Sequence, residues 1–294
     1  MTNRATLVHF FSDDARIARR LAASARLSCA KLKEHHFPDG ESMPRVAAVL
    51  GREAVLVRTL DHPGEKLFDS LLAADAMRRA GARRVTLIAP YLPYMRQDKV
   101  FQPGEPISQR VIGGVLGRAF DRVITVEPHL HRISRLGEAV PCQADSVSAA
   151  PAITDWVRRN ARDALLVGPD AESRPWIESI AGHAGTASAV GIKRRDSDRR
   201  VKVQFGSLER RDRAIIVDDI ASSGATLAAA ARTLRARGVT TVDVIVVHAI
   251  FAPGAITKIH RAGVHKILSC DTIRHPTNAI SIVPLLASAL EGIR

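Results

Sequence analysis

Short β-branched runs alternate along this chain with amphipathic stretches, and that alternation leaves few architectures open. Strands are expected at 6–10, 55–60, 85–90, 122–126, 164–168, 214–218 and 242–249. Between them Leu67, Phe68, Leu71 and Leu72 recur at helical spacing, as do Leu227, Ala230, Ala231 and Leu234. Each set is followed by a glycine, Gly81 or Gly238, where a helix stops. Strand–helix alternation of this kind is the mark of the α/β class, mostly parallel sheets flanked by helices. At 294 residues there is room for two cores. The pattern restarts after Pro141, and 142–151 is small, polar and bounded by proline, which suits a hinge. The expected domains are therefore 1–144 and 145–294, with a closing helix over 280–293 that could join either.

Composition narrows the setting. The chain is 46% hydrophobic and 25% charged, a globular balance, and has no apolar run long enough to span a bilayer. Residues 1–21 carry Asp13, Asp14 and several arginines, so no signal peptide is expected. Cys29, Cys142 and Cys270 are odd in number and far apart, as in a cytoplasmic protein with reduced thiols. The net charge of +13 favours anionic partners, either phosphorylated small molecules or nucleic acid. Aromatic residues are only 4% and no nucleic-acid module is visible, which speaks against the second. Arg78, Arg79, Arg232 and Arg235 sit at helix positions and read as a solvated face.

The most informative segment is 215–226, IIVDDIASSGAT. An apolar strand ends in two carboxylates, and a loop of small residues leads into a helix. Ligands of open α/β sheets bind at the carboxyl ends of strands, where loop amides and a helix N-terminus face an anion. Ser222, Ser223, Gly224 and Thr226 can offer amides and hydroxyls to a phosphate, and Asp218 and Asp219 can accept from sugar hydroxyls or approach a metal. A strand end with an N-cap would explain one serine and one acid, but not both acids before SSGAT. The segment resembles the 5-phosphoribosyl 1-diphosphate (PRPP) loop shared by type I phosphoribosyltransferases and PRPP synthases. That likeness implies that Asp218, Asp219, Ser222, Ser223, Gly224, Ala225 and Thr226 hold ribose 5-phosphate. Ala221 departs from it where a larger aliphatic is common, and Ser222 stands where some synthases carry a further acid.

Segments of the first half separate the two groups. Phe37-Pro38-Asp39-Gly40-Glu41 and the run 90–98, PYLPYMRQD, resemble the two ATP-binding segments of PRPP synthases. This implies ATP contacts for Phe37, Asp39, Glu41, Arg96 and Gln97, the first three reaching into a neighbouring subunit, hence a homo-oligomer of two or more chains. Pro-Asp-Gly is turn chemistry on any reading, and Arg96 is a forked donor suited to phosphate. His129, in Val126-Glu127-Pro128-His129, is similar to the family's magnesium-ligating histidine, with Glu-Pro in place of Asp-Leu. The nearby His131 makes only an H-x-H pair, a weak zinc signal. Asp170, in Gly168-Pro169-Asp170, matches an acid that helps hold magnesium or pyrophosphate, but Ala171-Glu172-Ser173-Arg174 replaces the usual glycines.

Finally, 191–201, GIKRRDSDRRV, is densely charged and resembles the family's flexible catalytic loop, implying that Lys193 and Arg195 are catalytic. The alternative is a solvated hairpin. Attack of a ribose hydroxyl on the β-phosphorus of ATP spreads negative charge over the transferring oxygens, so mobile cations are what the chemistry needs. The resemblance as a whole implies two phosphoribosyltransferase-like domains that convert ATP and ribose 5-phosphate into PRPP and AMP with Mg2+. The alternatives are a salvage phosphoribosyltransferase that consumes PRPP and a non-catalytic regulatory homologue.

Overall fold

Strands covered by helices on both faces must be apolar throughout, and the unbroken runs of the sequence become the central strands of two parallel sheets. The computed structural model describes residues 6–46, 53–197 and 200–291, and of 194–197, 200 and 201 the backbone alone. The chain divides into two units. One runs to Ser148 and resumes at Val283; the other is Ala149–Ile282.

The first unit contains β1 (Leu7–Phe10), α1 (Ala15–Ser24), β2 (Ser28–Lys31), β3 (Lys33–His36), β4 (Ser42–Arg45), β5 (Glu53–Val57), α2 (Pro63–Arg79), β6 (Arg84–Ala89), α3 (Ser108–Ala119), β7 (Arg122–Val126) and β8 (Gln143–Val147). Its six-stranded sheet has the order β2-β1-β5-β6-β7-β8, parallel throughout. Leu56, Leu87, Val123, Met77, Leu116 and Phe120 meet in its core. β3 and β4 form a separate antiparallel ribbon. α2 stops as its sequence indicates: Gly81 takes φ 108° and Ala82 N–H returns to Met77 O at 3.0 Å.

The second unit contains α4 (Ala150–Asn160), β9 (Leu165–Gly168), α5 (Arg174–Ala184), β10 (Ser188–Ser197), β11 (Arg200–Phe205), β12 (Arg213–Ala221), α6 (Ala225–Ala236), β13 (Thr241–Ala249), α7 (Ala255–Arg261), β14 (Val264–Cys270) and β15 (Asn278–Ile280). The strand order is β11-β10-β9-β12-β13-β14-β15, with β11 alone antiparallel to its neighbour. The last helix, α8 (Val283–Glu291), packs on α1 and so belongs to the first unit. Among the described residues no helix is long and apolar enough to cross a membrane.

The α/β class with two helix-flanked parallel sheets is as expected, but three local expectations change. The boundary expected at 144/145 would cut β8, which pairs with β7 from Arg122↔Gln143 to Val126↔Val147. β8 is the outermost strand of its sheet and half exposed, so it needs no apolar run and looks like a linker in sequence. The charged segment 191–201 is an antiparallel hairpin over its described backbone, Gly191↔Phe205 to Ser197↔Arg200, in place of a loop. The strand expected to end at Asp218 continues in register with β13 as far as Ala221↔Ala249.

In each sheet the chain leaves two adjacent strands in opposite directions, and that switch point is where an α/β sheet forms a crevice. In the second unit it lies between β9 and β12, and in the first between β1 and β5. The first unit's crevice is filled by ion pairs between side chains. Buried Arg58, at the end of β5, contacts Asp13 and lies 3.1 Å from both Asp14 Oδ2 and Asp69 Oδ2. Its guanidinium also sits 4.2 Å from the centre of the Phe11 ring. Lys66 Nζ bridges Asp13 and Asp61 at 3.0 and 2.5 Å.

Candidate active site

The second unit's crevice is built from the ends of β9, β10 and β12. β9 ends at Gly168, where a Cβ would lie 2.1 Å from Ser173 Oγ, so only glycine lets the next turn fold back this tightly. That turn carries Asp170, which caps Ala171–Ser173 by accepting from Ser173 N–H at 3.4 Å. Ser173 Oγ donates to Asp170 O at 2.6 Å and Arg174 pairs with Glu178 at 3.1 Å. The Ser173 amide and hydroxyl and one arm of the Arg174 guanidinium are thus already engaged within the protein.

Gly191 performs a similar task on β10. A Cβ there would fall 2.6 Å from Val203 Cγ1 and 2.9 Å from Pro169 O, so the hairpin lies close against the Asp170 turn. Two residues on, Lys193 Nζ comes within 3.7 Å of Asp170 Oδ2. Both side chains are about one-quarter exposed, 26% and 24%, so the lysine is held in the crevice, unlike one on a solvated hairpin. The Arg195 side chain lies outside the described residues.

Asp218 and Asp219, half-buried, follow the buried stretch of β12, and Asp219 N–H donates to Asp218 Oδ1 at 3.1 Å. Burial pushes the Asp218 carboxyl well above the usual range, and the charges of Asp219 and Asp170 push it further. The Lys193 ammonium and the Asp219 N–H pull the other way. Three carboxylates therefore share one lysine in a confined space, an arrangement that favours a ligand rich in hydroxyls or a hard cation. Ser222 and Ser223 follow, and Gly224, at φ 68°, caps α6. The loop, the acids, Asp170 and Lys193 all belong to one unit and one crevice.

The ATP-side segments lie in the first unit. Phe37–Glu41 is the tip of the β3–β4 ribbon. Phe37 N–H donates to Glu41 O at 2.8 Å, Gly40 N–H to Phe37 O at 3.0 Å and Glu41 N–H to Asp39 Oδ1 at 3.2 Å. The segment after β6 is pinned by α3: Ser108 Oγ donates to Gln97 Oε1 at 2.6 Å and Gln109 Nε2 to Met95 O at 3.1 Å. Tyr94 adopts φ 66° there, and Glu127 adopts φ 36° just before His129. Non-glycine residues in this region are strained, and such strain gathers at working sites. Arg132 Nε lies 3.4 Å from buried Asp98 Oδ2, which joins the Arg96-Gln97-Asp98 and His129 segments. Glu127 accepts from Ser148 Oγ at 2.7 Å. His129 and His131 stack edge to face at 3.9 Å. Among the described residues no hydrogen bond or ion pair joins Phe37–Glu41 to Arg96 or Gln97.

Residues 8–119 match the family described as the N-terminal domain of ribose phosphate pyrophosphokinase, and 145–284 match the phosphoribosyl transferase domain. A ribose-phosphate pyrophosphokinase of Methanopyrus kandleri is 32% identical over 286 residues, 96% of this chain and 97% of that protein. The chain belongs to the ribose-phosphate pyrophosphokinase family. The enzyme of that name from Thermococcus kodakarensis is 34% identical over 266 residues, covering 90% of this chain and 92% of its own. A crystal structure of phosphoribosylpyrophosphate synthetase from Mycobacterium smegmatis shares the fold, with a TM-score of 0.81 over 98% of both chains at 24% identity. The support behind the loop carries no signal in the sequence. Lys258, in Ile256-Thr257-Lys258-Ile259, donates to Ser223 O at 3.1 Å, and no motif in the sequence marks it.

Proposed function

We propose that the chain performs its family's reaction, moving the pyrophosphoryl group of ATP to the 1-hydroxyl of ribose 5-phosphate with release of AMP. The observation that carries this reading is the gathering of Asp170, Lys193, Asp218, Asp219 and the 222–226 loop at one switch point. The loop amides and the Thr226 hydroxyl take the 5-phosphate. Asp218 and Asp219 accept from the ribose hydroxyls and orient the 1-hydroxyl. Lys193, released from Asp170 as ligands bind, supplies positive charge to the transferring oxygens, and Arg195 is proposed to act beside it.

Asp170 fits a magnesium ion: it is a hard oxygen donor in a crevice with surplus negative charge. Among the described residues no three His, Cys, Asp or Glu side chains form a metal site by themselves. That suits magnesium, which keeps its waters and binds through one or two protein groups plus substrate phosphates. Asp170, on the ribose 5-phosphate side, and His129, on the ATP side, are each proposed as a magnesium ligand, and such an ion would neutralise charge on the phosphate oxygens.

Phe37, Asp39, Glu41, Arg96 and Gln97 are assigned to ATP, with the first three serving a neighbouring subunit. Phe37–Glu41 tips a ribbon separate from the main sheet. Large apolar side chains are exposed on the ribbon and on α2, to which Ser42 ties it through Asp69 at 2.5 Å: Phe37 39%, Met43 44%, Phe68 67% and Leu72 46%. Such a surface favours assembly of two or more chains. A salvage transferase would leave the match over 8–119 without a role. Incubation with ATP, Mg2+ and ribose 5-phosphate should yield AMP in step with PRPP. ADP as the nucleotide product would exclude this reaction class.

A further inference from the structure

The phosphate loop is shaped from behind. Ala252 N–H donates to Ser222 O at 3.1 Å, and Lys258 Nζ of α7 donates to Ser223 O at 3.1 Å. A Cβ on buried Gly224 would lie 2.9 Å from Ile259 Cδ1 and 3.3 Å from Ala255 O, so α7 and the loop are in direct contact. Both carbonyls are therefore drawn toward the segment 252–259.

Among the described residues no peptide is cis. In a trans peptide the N–H points opposite to the C=O. The N–H groups of Ser223 and Gly224 are thus turned away from α7, side by side, and neither has an acceptor among the described residues. Successive N–H groups facing one way form an anion-binding concavity, and here it continues into the N-terminus of α6. Ala252 holds the first peptide through the main chain. The second depends on a side chain. If the Ser223–Gly224 peptide turned over, it would present a carbonyl oxygen where an anion needs a donor.

We infer that Lys258 is a positioning residue for ribose 5-phosphate: its grip on Ser223 O keeps Gly224 N–H directed at the 5-phosphate. This rests on reading 222–226 as the 5-phosphate loop. Lys258 is exposed and contributes no apolar core, so its replacement should leave the fold intact.

The test is steady-state kinetics and thermal melting of Lys258→Met, Lys258→Arg and Thr226→Ala. Lys258→Met keeps the stem but loses the donor. It should raise KM for ribose 5-phosphate about tenfold, with kcat and KM for ATP within about twofold and Tm unchanged. Lys258→Arg should restore most of the affinity. If Thr226→Ala raises that KM while Lys258→Met does not, the loop reading stands and the role of Lys258 falls. If neither variant changes it, the loop reading fails and the inference fails with it. A lowered Tm together with loss of affinity for both substrates would make Lys258 a packing residue and overturn the proposal.

Discussion

Replacing Arg58 by methionine should destabilise the first unit strongly, and more at alkaline than at acidic pH. The side chain is 6% exposed and faces Asp14 and Asp69, which are 5% and 8% exposed. Methionine fills much of the volume but strands both carboxylates. The contact with Asp13 contributes less, because that partner is 48% exposed and water screens it. Breaking a buried ion pair from one side costs about 3–5 kcal/mol. At roughly 2–4 °C per kcal/mol for a chain of this size, Tm should drop by on the order of 10 °C.

The pH dependence follows from Asp14. Burial pushes its carboxyl up to about 6, helped by the charge of Asp13 and opposed by Arg58 and the Thr59 N–H. A carboxyl raised in the folded state keeps its proton where the unfolded chain has lost it, so its contribution to stability falls as pH rises from about 4 to about 6. Without Arg58 the folded value rises further, and the window extends upward. Melts of both proteins at about pH 5 and about pH 8 should show the larger difference at the higher pH. Adding Asp14→Asn to the variant should recover part of the loss there. Equal differences at both pH values would refute an uncompensated Asp14 charge as the cause.

Two further outcomes concern catalysis. Lys193→Ala should lower kcat about a hundredfold, on the order of 3 kcal/mol, with little change in binding. Asp219→Ala should instead act mainly on KM for ribose 5-phosphate, and a near-normal kcat in Lys193→Ala would remove the lysine from the mechanism. Mixing Glu41→Ala with Lys193→Ala subunits should restore activity through hybrid sites. A fully active monomer, seen by sedimentation at assay concentration, would exclude a shared ATP site.

What was legible in the sequence follows from burial. Every expected strand lies inside a sheet, where helices on both faces demand an unbroken apolar run such as Ala214–Val217. β2 and β8 are outermost strands, largely or half exposed, and their sequences Ser28–Lys31 and Gln143–Val147 carry no such signal. The β10–β11 hairpin was hidden by its charge, since its order comes from Gly191 against Pro169 O and from Thr233 Oγ1, which donates to Val203 O at 2.8 Å. The acids and the small-residue loop could be read because the ligand dictates those residue types. Lys258 could not, because a lysine that holds a carbonyl has no spacing to distinguish it from one in solvent.

The placement of α8 has a consequence for synthesis. Val283, Leu286, Ala287 and Leu290 bury a face of this helix, and it packs on α1, yet it follows the whole of the second unit in the chain. The first unit is therefore encoded in two pieces with the second inserted between them. At about 5–20 residues per second, translation of the inserted unit takes on the order of ten seconds. During that interval the surface of α1 that α8 covers stays open, although all the strands of the first unit have been made. The first unit, though it starts the chain, is the last to receive all its pieces.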